Sequence, residues 1–249
     1  MGHRWLLIGN SRWHWAEAAP TGLSLWHEAP AAGAATARAG SPLAWAAVGA
    51  VPADARLHEA GRLGLSEVPL RQVPPWLGID RALGGWRAWQ EQPDQPVLVA
   101  DAGTVLSLTR VDRTGGFRGG RLLAGVALQL RAMAAGTTAL PDRSVGSMGL
   151  GSGEGGPRDP WPIATAAALE EGVVRGLAAA ITAAAQEVLT AERECRLVLT
   201  GGDAPLLFPL VEPALAGSMA VSWRPALCLE ALARLRPPLT AVSSPGASS

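Results

Sequence analysis

The chain has 249 residues, 48% of them hydrophobic, with 21 basic and 21 acidic side chains and a formal net charge of zero. That is apolar content enough for one large domain or two small halves around a cleft, and the neutral balance recommends neither nucleic acid nor an anionic membrane as a partner. The basic residues are all arginine, which excludes any mechanism that needs a lysine, including the lysine of a P-loop.

Cys195 and Cys228 are too few for a disulfide framework and lack metal-ligand spacing, so buried thiols of a reducing compartment are expected. His3, His14, His27 and His58 are scattered and form no HExxH-type pair, which argues against a metal site built on histidine. No signal peptide and no apolar run of transmembrane length is read, so a soluble, cytoplasmic protein is expected.

Residues 4–9 and 12–15 predict a first β-hairpin across Gly9-Asn10-Ser11, and 23–28 and 43–51 predict further strands. Trp5, Trp13, Trp15, Trp26 and Trp45 cluster there and read as core filling on a sheet. Residues 53–64 predict a helix and 67–73 a strand. The segment 74–81, Pro-Pro-Trp-Leu-Gly-Ile-Asp-Arg, reads as an ordered loop entering a helix that runs to about Gln90. On composition alone Asp80 is most simply an N-cap there and Arg81 a surface charge.

The central stretch is Val97–Pro141. The apolar run 97–100 ends in Asp101, a tight Ala102-Gly103-Thr104 turn follows, and a second apolar run covers 105–108. Glycine in such a turn lets backbone N–H groups approach an anion, and an aspartate at the strand end can hold a cation beside a bound phosphate. A plain hairpin whose Asp and Thr satisfy the turn backbone is the competing reading. The first hairpin has the same plan, with Gly9 matching Gly103 and Ser11 one residue past the match to Thr104. That echo suggests two similar half-domains clasping one ligand. Gly115-Gly116 and Gly119-Gly120 then punctuate the following strands, where paired glycines mark close approach of backbone or ligand.

Residues 125–135 predict a helix, 144–160 a mobile Gly/Ser-rich loop, and 162–191 a long Ala-rich helix with Pro162 near its first position. The stripe Leu169, Val173, Val174, Leu177 and Ile181 marks its core face or a dimer face. Residues 196–200 predict a strand leading into Gly201-Gly202-Asp203, 219–223 another strand, and 225–235 a closing helix. Residues 237–249 read as a disordered tail.

Taken in order, these motifs resemble the type III pantothenate kinase family over nearly the whole chain. The carrying residues are Gly9-Asn10-Ser11, Gly78-Ile79-Asp80-Arg81, Asp101-Ala102-Gly103-Thr104, Gly119-Gly120, Ala124-Gly125, Thr138-Ala139-Leu140-Pro141, Thr165, Thr200-Gly201-Gly202-Asp203 and Pro225 to Leu232. The resemblance implies an α/β, duplicated actin-like ATPase (acetate and sugar kinase/Hsp70/actin) fold with two halves around a cleft. The halves expected are 1–95, with the first phosphate hairpin and the substrate loop, and 96–236, with the second phosphate hairpin. It implies transfer of the ATP γ-phosphoryl group to the 4′-hydroxyl of pantothenate, the first step of coenzyme A synthesis. It also implies a homodimer, Mg²⁺ and a monovalent cation, K⁺ or NH₄⁺.

Carried over residue by residue, Asp80 is implied as the general base. Gly78, Ile79, Arg81 and Thr165 are implied as pantothenate contacts, with Arg81 on the carboxylate and Thr165 reaching it across the dimer. Gly9, Asn10, Ser11, Arg12 and Thr104 are implied at ATP, and Asp101 at the monovalent cation. A single position departs from the pattern in a way that bears on chemistry: Leu7 stands where the family's first motif has aspartate. The echo gives the same contrast within the chain, Asp101 two residues before Gly103 and Leu7 two before Gly9. Leucine cannot ligate Mg²⁺. Three readings follow: a kinase that holds Mg²⁺ through ATP, water and Asp101, a non-catalytic nucleotide- or pantothenate-binding relative with a regulatory role, or a kinase of the same fold acting on another small hydroxy acid.

Overall fold

The protein is described here from a computed structural model, which covers residues 2–138, 140–141 and 159–238. Most of the Gly/Ser-rich segment 144–160 and of the tail 237–249 therefore lies outside the described residues, as does Ala139. The chain forms two compact units, residues 1–64 with 228–249, and residues 65–227.

In the first unit, the alternating runs of the sequence become β1 (Arg4–Ile8), β2 (Trp13–Ala19) and β3 (Gly22–Glu28), joined by α1 (Pro30–Ala39) to β4 (Ala44–Ala47). The sheet order is β3-β2-β1-β4, with β4 parallel to β1 and the other neighbours antiparallel. One face carries Leu6, Ile8, Trp13, Trp15 and Trp45, which bury against Ala34 and Ala37 of α1. Trp13, Trp15 and Trp45 are thus in the core of this unit with half-buried Trp26 against them, as period-2 spacing requires, whereas buried Trp5 alternates with Leu6 and lies on the opposite face. Helix α6 (Leu227–Leu235) closes the unit, and the Trp5 indole N–H donates to the Arg236 carbonyl at 2.9 Å.

The predicted helix over 53–64 is replaced by two short 3₁₀ turns, Ala53–Ala55 and Glu59–Gly61. Arg56 takes a left-handed conformation (φ 54°), which ends any helix there. The Leu63 N–H donates to the Trp45 carbonyl at 2.8 Å, and Arg62 bridges Trp45, so sheet-edge pairing overrides helical spacing.

The second unit holds α2 (Ile79–Glu91), β5 (Val97–Ala102), β6 (Val105–Val111), β7 (Phe117–Ala124), α3 (Val126–Gly136), α4 (Thr165–Ala191), β8 (Arg196–Thr200), α5 (Ala204–Leu215) and β9 (Val221–Trp223). Its sheet runs β7-β6-β5-β8-β9, with β8 parallel to β5 and β9 parallel to β8. Leu98, Ala100, Leu106 and Leu108 face a core shared with α3, α4 and α5. The alternate residues of β5 and β6 face the side where α2 packs; a Cβ at Gly85 of α2 would touch Val111 and Thr109 at 3.1 and 3.5 Å. The predicted strand over 67–73 shrinks to a single bridge, Arg71 to Gly116, because Gln72 is left-handed (φ 58°) and Pro74 has no N–H to pair.

Helix α4 begins at Thr165, three residues after Pro162. By length and composition it is apolar enough to cross a membrane, which corrects the expectation that no run reaches that length. Its stripe from Leu169 to Val188 is buried in the core, and buried Glu171 accepts from Arg175 Nε at 2.6 Å, the pattern of a core helix.

Candidate active site

Asp80 sits in the first turn of α2. The N-cap is Gly78, not Asp80, and it makes no side-chain cap bond. The Asp80 carboxylate accepts the Arg81 backbone N–H at 2.8 Å. Burial lifts its carboxyl above the ordinary value, opposed by the N–H and the charge of Arg81. A carboxylate made more basic by burial is suited to take a proton.

Arg81 is gripped along one side. Its Nε–H donates to the Thr109 hydroxyl at 3.0 Å and Nη2 to the Leu108 carbonyl at 3.4 Å, both on β6. The guanidinium carbon lies 5.6 Å from the centre of the Phe117 ring. Gly120 of β7 makes room for it: a Cβ there would overlap both Arg81 Nη2 and the Leu108 carbonyl. Burial lowers the arginine's pKa and Asp80 opposes the shift. The side-on pair of donors is spent on the sheet, and among the described residues no further hydrogen bond to the guanidinium is found, which leaves its end-on side to a ligand. A planar fork fixed this way matches a carboxylate.

Asp101 is the last residue but one of β5, on the face that α2 covers, opposite Ser107 and Thr200 in register. Burial, then the charge of Asp80, pushes its carboxyl up to about 7. No hydrogen bond to this carboxylate is found among the described residues. A carboxylate desolvated, beside another and without a counter-charge fits a bound cation.

The turn after Asp101 is braced by two close backbone approaches. Gly125 packs on the Gly103 carbonyl so tightly that a Cβ would overlap it, and its N–H donates to the Thr104 carbonyl at 3.0 Å. Gly201, at φ 90°, packs on Ala102, and a Cβ there would sit 2.6 Å from Asp101 Oδ1. The Asp203 N–H donates to the Ala102 carbonyl at 2.8 Å. Helices α3 and α5 therefore both start against the Asp101–Thr104 turn. Their N-termini bring positive dipole ends to one spot, a geometry that favours phosphate, although the first N–H groups of α5 are already used: Asp203 donates to Ala102, Ala204 to Gly201 and Leu206 to Asp203, and Pro205 has none.

Asp80, Arg81, Asp101 and Thr104 thus share one unit. Thr165 does not join them: it is exposed at the first position of α4, and no interaction links it to Asp80, Arg81 or Asp101 among the described residues. Gly9, Asn10, Ser11 and Arg12 form the β1–β2 turn of the other unit, with the Gly9 N–H donating to the Arg12 carbonyl at 3.0 Å. Leu7 is 8% exposed and stands opposite His14. At its turn the first hairpin has Leu7, His14 and Arg12 and no carboxylate, only the neutral side-chain oxygens of Asn10 and Ser11, a donor set that does not suit Mg²⁺. Thr109 carries no signal by residue type; Gly120 does, through its glycine pair, but the grip on Arg81 depends on strand register.

Two solved structures fit the backbone over nearly the whole chain. Ethanolamine utilization protein EutJ from Carboxydothermus hydrogenoformans superposes with a TM-score of 0.53, at 13% identity over 95% of this chain and 90% of its own. A putative 2-dehydro-3-deoxygalactonokinase from Sinorhizobium meliloti gives 0.55, at 16% identity over 97% and 99%. At that identity the likeness shows the fold alone, the duplicated α/β fold of the actin-like ATPases. The type III pantothenate kinase family profile matches residues 66–187, which include Asp80, Arg81, Asp101 and Thr104. The chain is 37% identical to the type III pantothenate kinase of Thermosynechococcus vestitus over 83% of its length and 79% of that protein. It is 34% identical to that of Synechococcus sp. strain JA-3-3Ab over 94% and 92%. The chain belongs to the type III pantothenate kinase family.

Proposed function

We infer that the protein is a kinase that transfers the γ-phosphoryl group of ATP to the 4′-hydroxyl of pantothenate, the first step of coenzyme A synthesis. The observation that carries the reading is the pairing of Asp80 with Arg81 on one helix turn, the arginine's side-on donors held by β6 and its end-on donors left open. Arg81 binds the carboxylate of an anionic hydroxy acid, and Asp80 accepts the proton of the hydroxyl as its oxygen bonds to phosphorus. Gly78 and Ile79 shape the approach to the helix terminus, and Thr165 completes the substrate contact in a homodimer. The turn from Asp101 to Thr104 receives phosphate oxygens on the N-termini of α3 and α5. Asp101 holds the monovalent cation, K⁺ or NH₄⁺, and ATP arrives as its Mg²⁺ complex. These ions supply charge neutralisation at the transferring phosphate. Gly9, Asn10, Ser11 and Arg12 hold the nucleotide's phosphates from the first hairpin, and the protein works in the cytoplasm.

An ADP-release assay with ATP, Mg²⁺, K⁺ and pantothenate tests this. Wild type is expected to turn over, and Asp80→Asn to lose activity by about 10² or more. Silence of the wild type with pantothenate, or full activity of Asp80→Asn, would overturn it. Replacing pantothenate with pantothenol, which keeps the hydroxyl but lacks the carboxylate, should raise KM for wild type and leave Arg81→Ala indifferent.

A further inference from the structure

The two hairpins present matching rows of side chains across their sheets. In the second unit the row is Leu122, Ser107, Asp101, Thr200, read across β7, β6, β5 and β8. In the first unit the row at the same place is His27, His14, Leu7, Ala46, across β3, β2, β1 and β4. Residues directly opposite in a ladder share a face. The acid of one row is an alkyl group in the other, and the neighbouring hydroxyl is an imidazole. This face is the one turned away from the tryptophan core, since Leu6, Ile8, Trp13 and Trp15 alternate with it.

The basic groups of this row converge on the turn. Arg12 Nη1 donates to His27 Nε2 at 2.9 Å, so His27 carries its proton on Nδ1. The rings of His27 and His14 lie 6.3 Å apart. His14 reaches back to the turn itself: a Cβ at Gly9 would lie 3.5 Å from His14 Nε2. Arg12 and His27 are exposed and half-buried His14 lies between them and Leu7. Burial, then His27 and Arg12, hold the His14 imidazole down at about 4, so in the free protein it is a neutral N–H donor. The row itself contains no carboxylate.

We propose that Arg12, His14 and His27 form a phosphate clamp on the first hairpin that grips the triphosphate of ATP directly, without a divalent cation at that hairpin. The inference rests on the kinase reading above for its ligand. Its chemistry is simple: a guanidinium and two imidazole N–H groups are donors to phosphate oxygens, whereas a carboxylate at position 7 would repel them unless a metal stood between. Leucine at position 7 removes that repulsion and with it the need for the metal as a bridge at this turn.

Calorimetry of the full chain tests the clamp with four probes: ATP with Mg²⁺, ATP with EDTA, inorganic tripolyphosphate with EDTA, and adenosine. Wild type is expected to bind ATP in EDTA within about tenfold of its affinity with Mg²⁺. Tripolyphosphate should compete. Arg12→Ala, His27→Ala and His14→Ala should each weaken ATP and tripolyphosphate in EDTA by about tenfold, the loss of one charge-assisted hydrogen bond, while leaving adenosine unchanged. His14→Lys should restore the loss of His14→Ala. Leu7→Asp should make binding depend on Mg²⁺. Arg12 and His27 are exposed, so their variants keep the test valid if His14→Ala lowers the melting temperature. Binding of ATP only with Mg²⁺, or unchanged affinity in Arg12→Ala and His27→Ala, would overturn the clamp and leave the kinase reading standing. Failure to bind ATP under any condition would overturn both.

Discussion

Thr109 on β6 accepts a hydrogen bond from Arg81 Nε at 3.0 Å, so a threonine in the sheet sets the direction of an arginine on the neighbouring helix. Thr109 is 1% exposed, and no solvent can take its place. Thr109→Val keeps the shape and removes the acceptor. A hydrogen bond to a charged group contributes about 1.5–3 kcal/mol, so KM for pantothenate should rise about tenfold with kcat little changed. Thr109→Ser should restore it. Gly120→Ala should be harsher, because the new Cβ meets backbone at Leu108 as well as Arg81. It should lower stability by roughly 1–3 kcal/mol and KM should rise with it, both readable from a melt and steady-state kinetics.

Asp101 gives a pH signature opposite to that of an ordinary surface acid. Its carboxyl moves from 3.8 to about 7 on folding, so the folded state holds the proton more tightly. At about pH 3 the group is neutral in both states and costs nothing. As pH rises from about 4 to 7 the unfolded chain ionises first, and stability falls. Above about 7 the full cost is present. Asp101→Asn should therefore raise the melting temperature at pH 8 and leave it unchanged at pH 3. Added K⁺ should stabilise wild type at pH 8 and do nothing for Asp101→Asn; equal stabilisation of both would remove Asp101 from the cation site.

Asp112 has the reverse sign. Its Oδ1 accepts the backbone N–H groups of Thr114 and Gly116 and the Thr114 hydroxyl, and its Oδ2 pairs with Arg118 Nε at 2.5 Å. These bonds outweigh burial and hold the carboxyl down at about 2, against 3.8. The stability they give is present above about pH 4 and is lost as pH falls toward 2. Asp112→Ala should cost about 2 kcal/mol at pH 7, with the difference from wild type closing near pH 2 in denaturant titrations.

Glu91 at the end of α2 is a hub for three arginines. It pairs with Arg87 at 3.2 Å, with Arg196 at 3.7 Å, and closely with Arg224. Arg196 is buried, and its Nε has no partner among the described residues. Removing Glu91 takes from buried Arg196 the one carboxylate it pairs with among the described residues. Glu91→Ala should destabilise by about 3 kcal/mol or more. Arg224→Ala leaves Glu91 with two partners and should cost much less; equal losses would mean the hub is not cooperative.

The hairpins, their turns and the long helix stripe were legible because period-2 and period-3.6 patterns with glycine punctuation are local signals. Asp80, Arg81 and Asp101 stood out by motif and fall in one unit. What was not legible depends on pairing between distant segments. Residues 53–64 have helical spacing but are drawn onto the Trp45 edge, and 67–73 are stopped by left-handed Gln72. The first compact unit ends at Gly64, and α2 belongs with the second because it packs on β5 and β6, contacts that only the folded sheet creates. Thr109 as the holder of Arg81, and His14 as the neighbour of Leu7, follow from register alone. A scattered histidine carries no signal until the strands are aligned.

The stack of Trp15 on Trp26, centres 5.8 Å apart and planes 4° apart, has an optical consequence. Two indoles that close and parallel couple their electronic transitions and give a paired circular-dichroism band that isolated tryptophans lack. The chain has ten tryptophans and no tyrosine, so no phenol absorbance overlies it. Trp15 and Trp26 immediately follow and precede His14 and His27 on the same two strands. The band therefore reads the integrity of those strands without any label, and its loss on heating or in a variant marks the unpairing of β2 from β3.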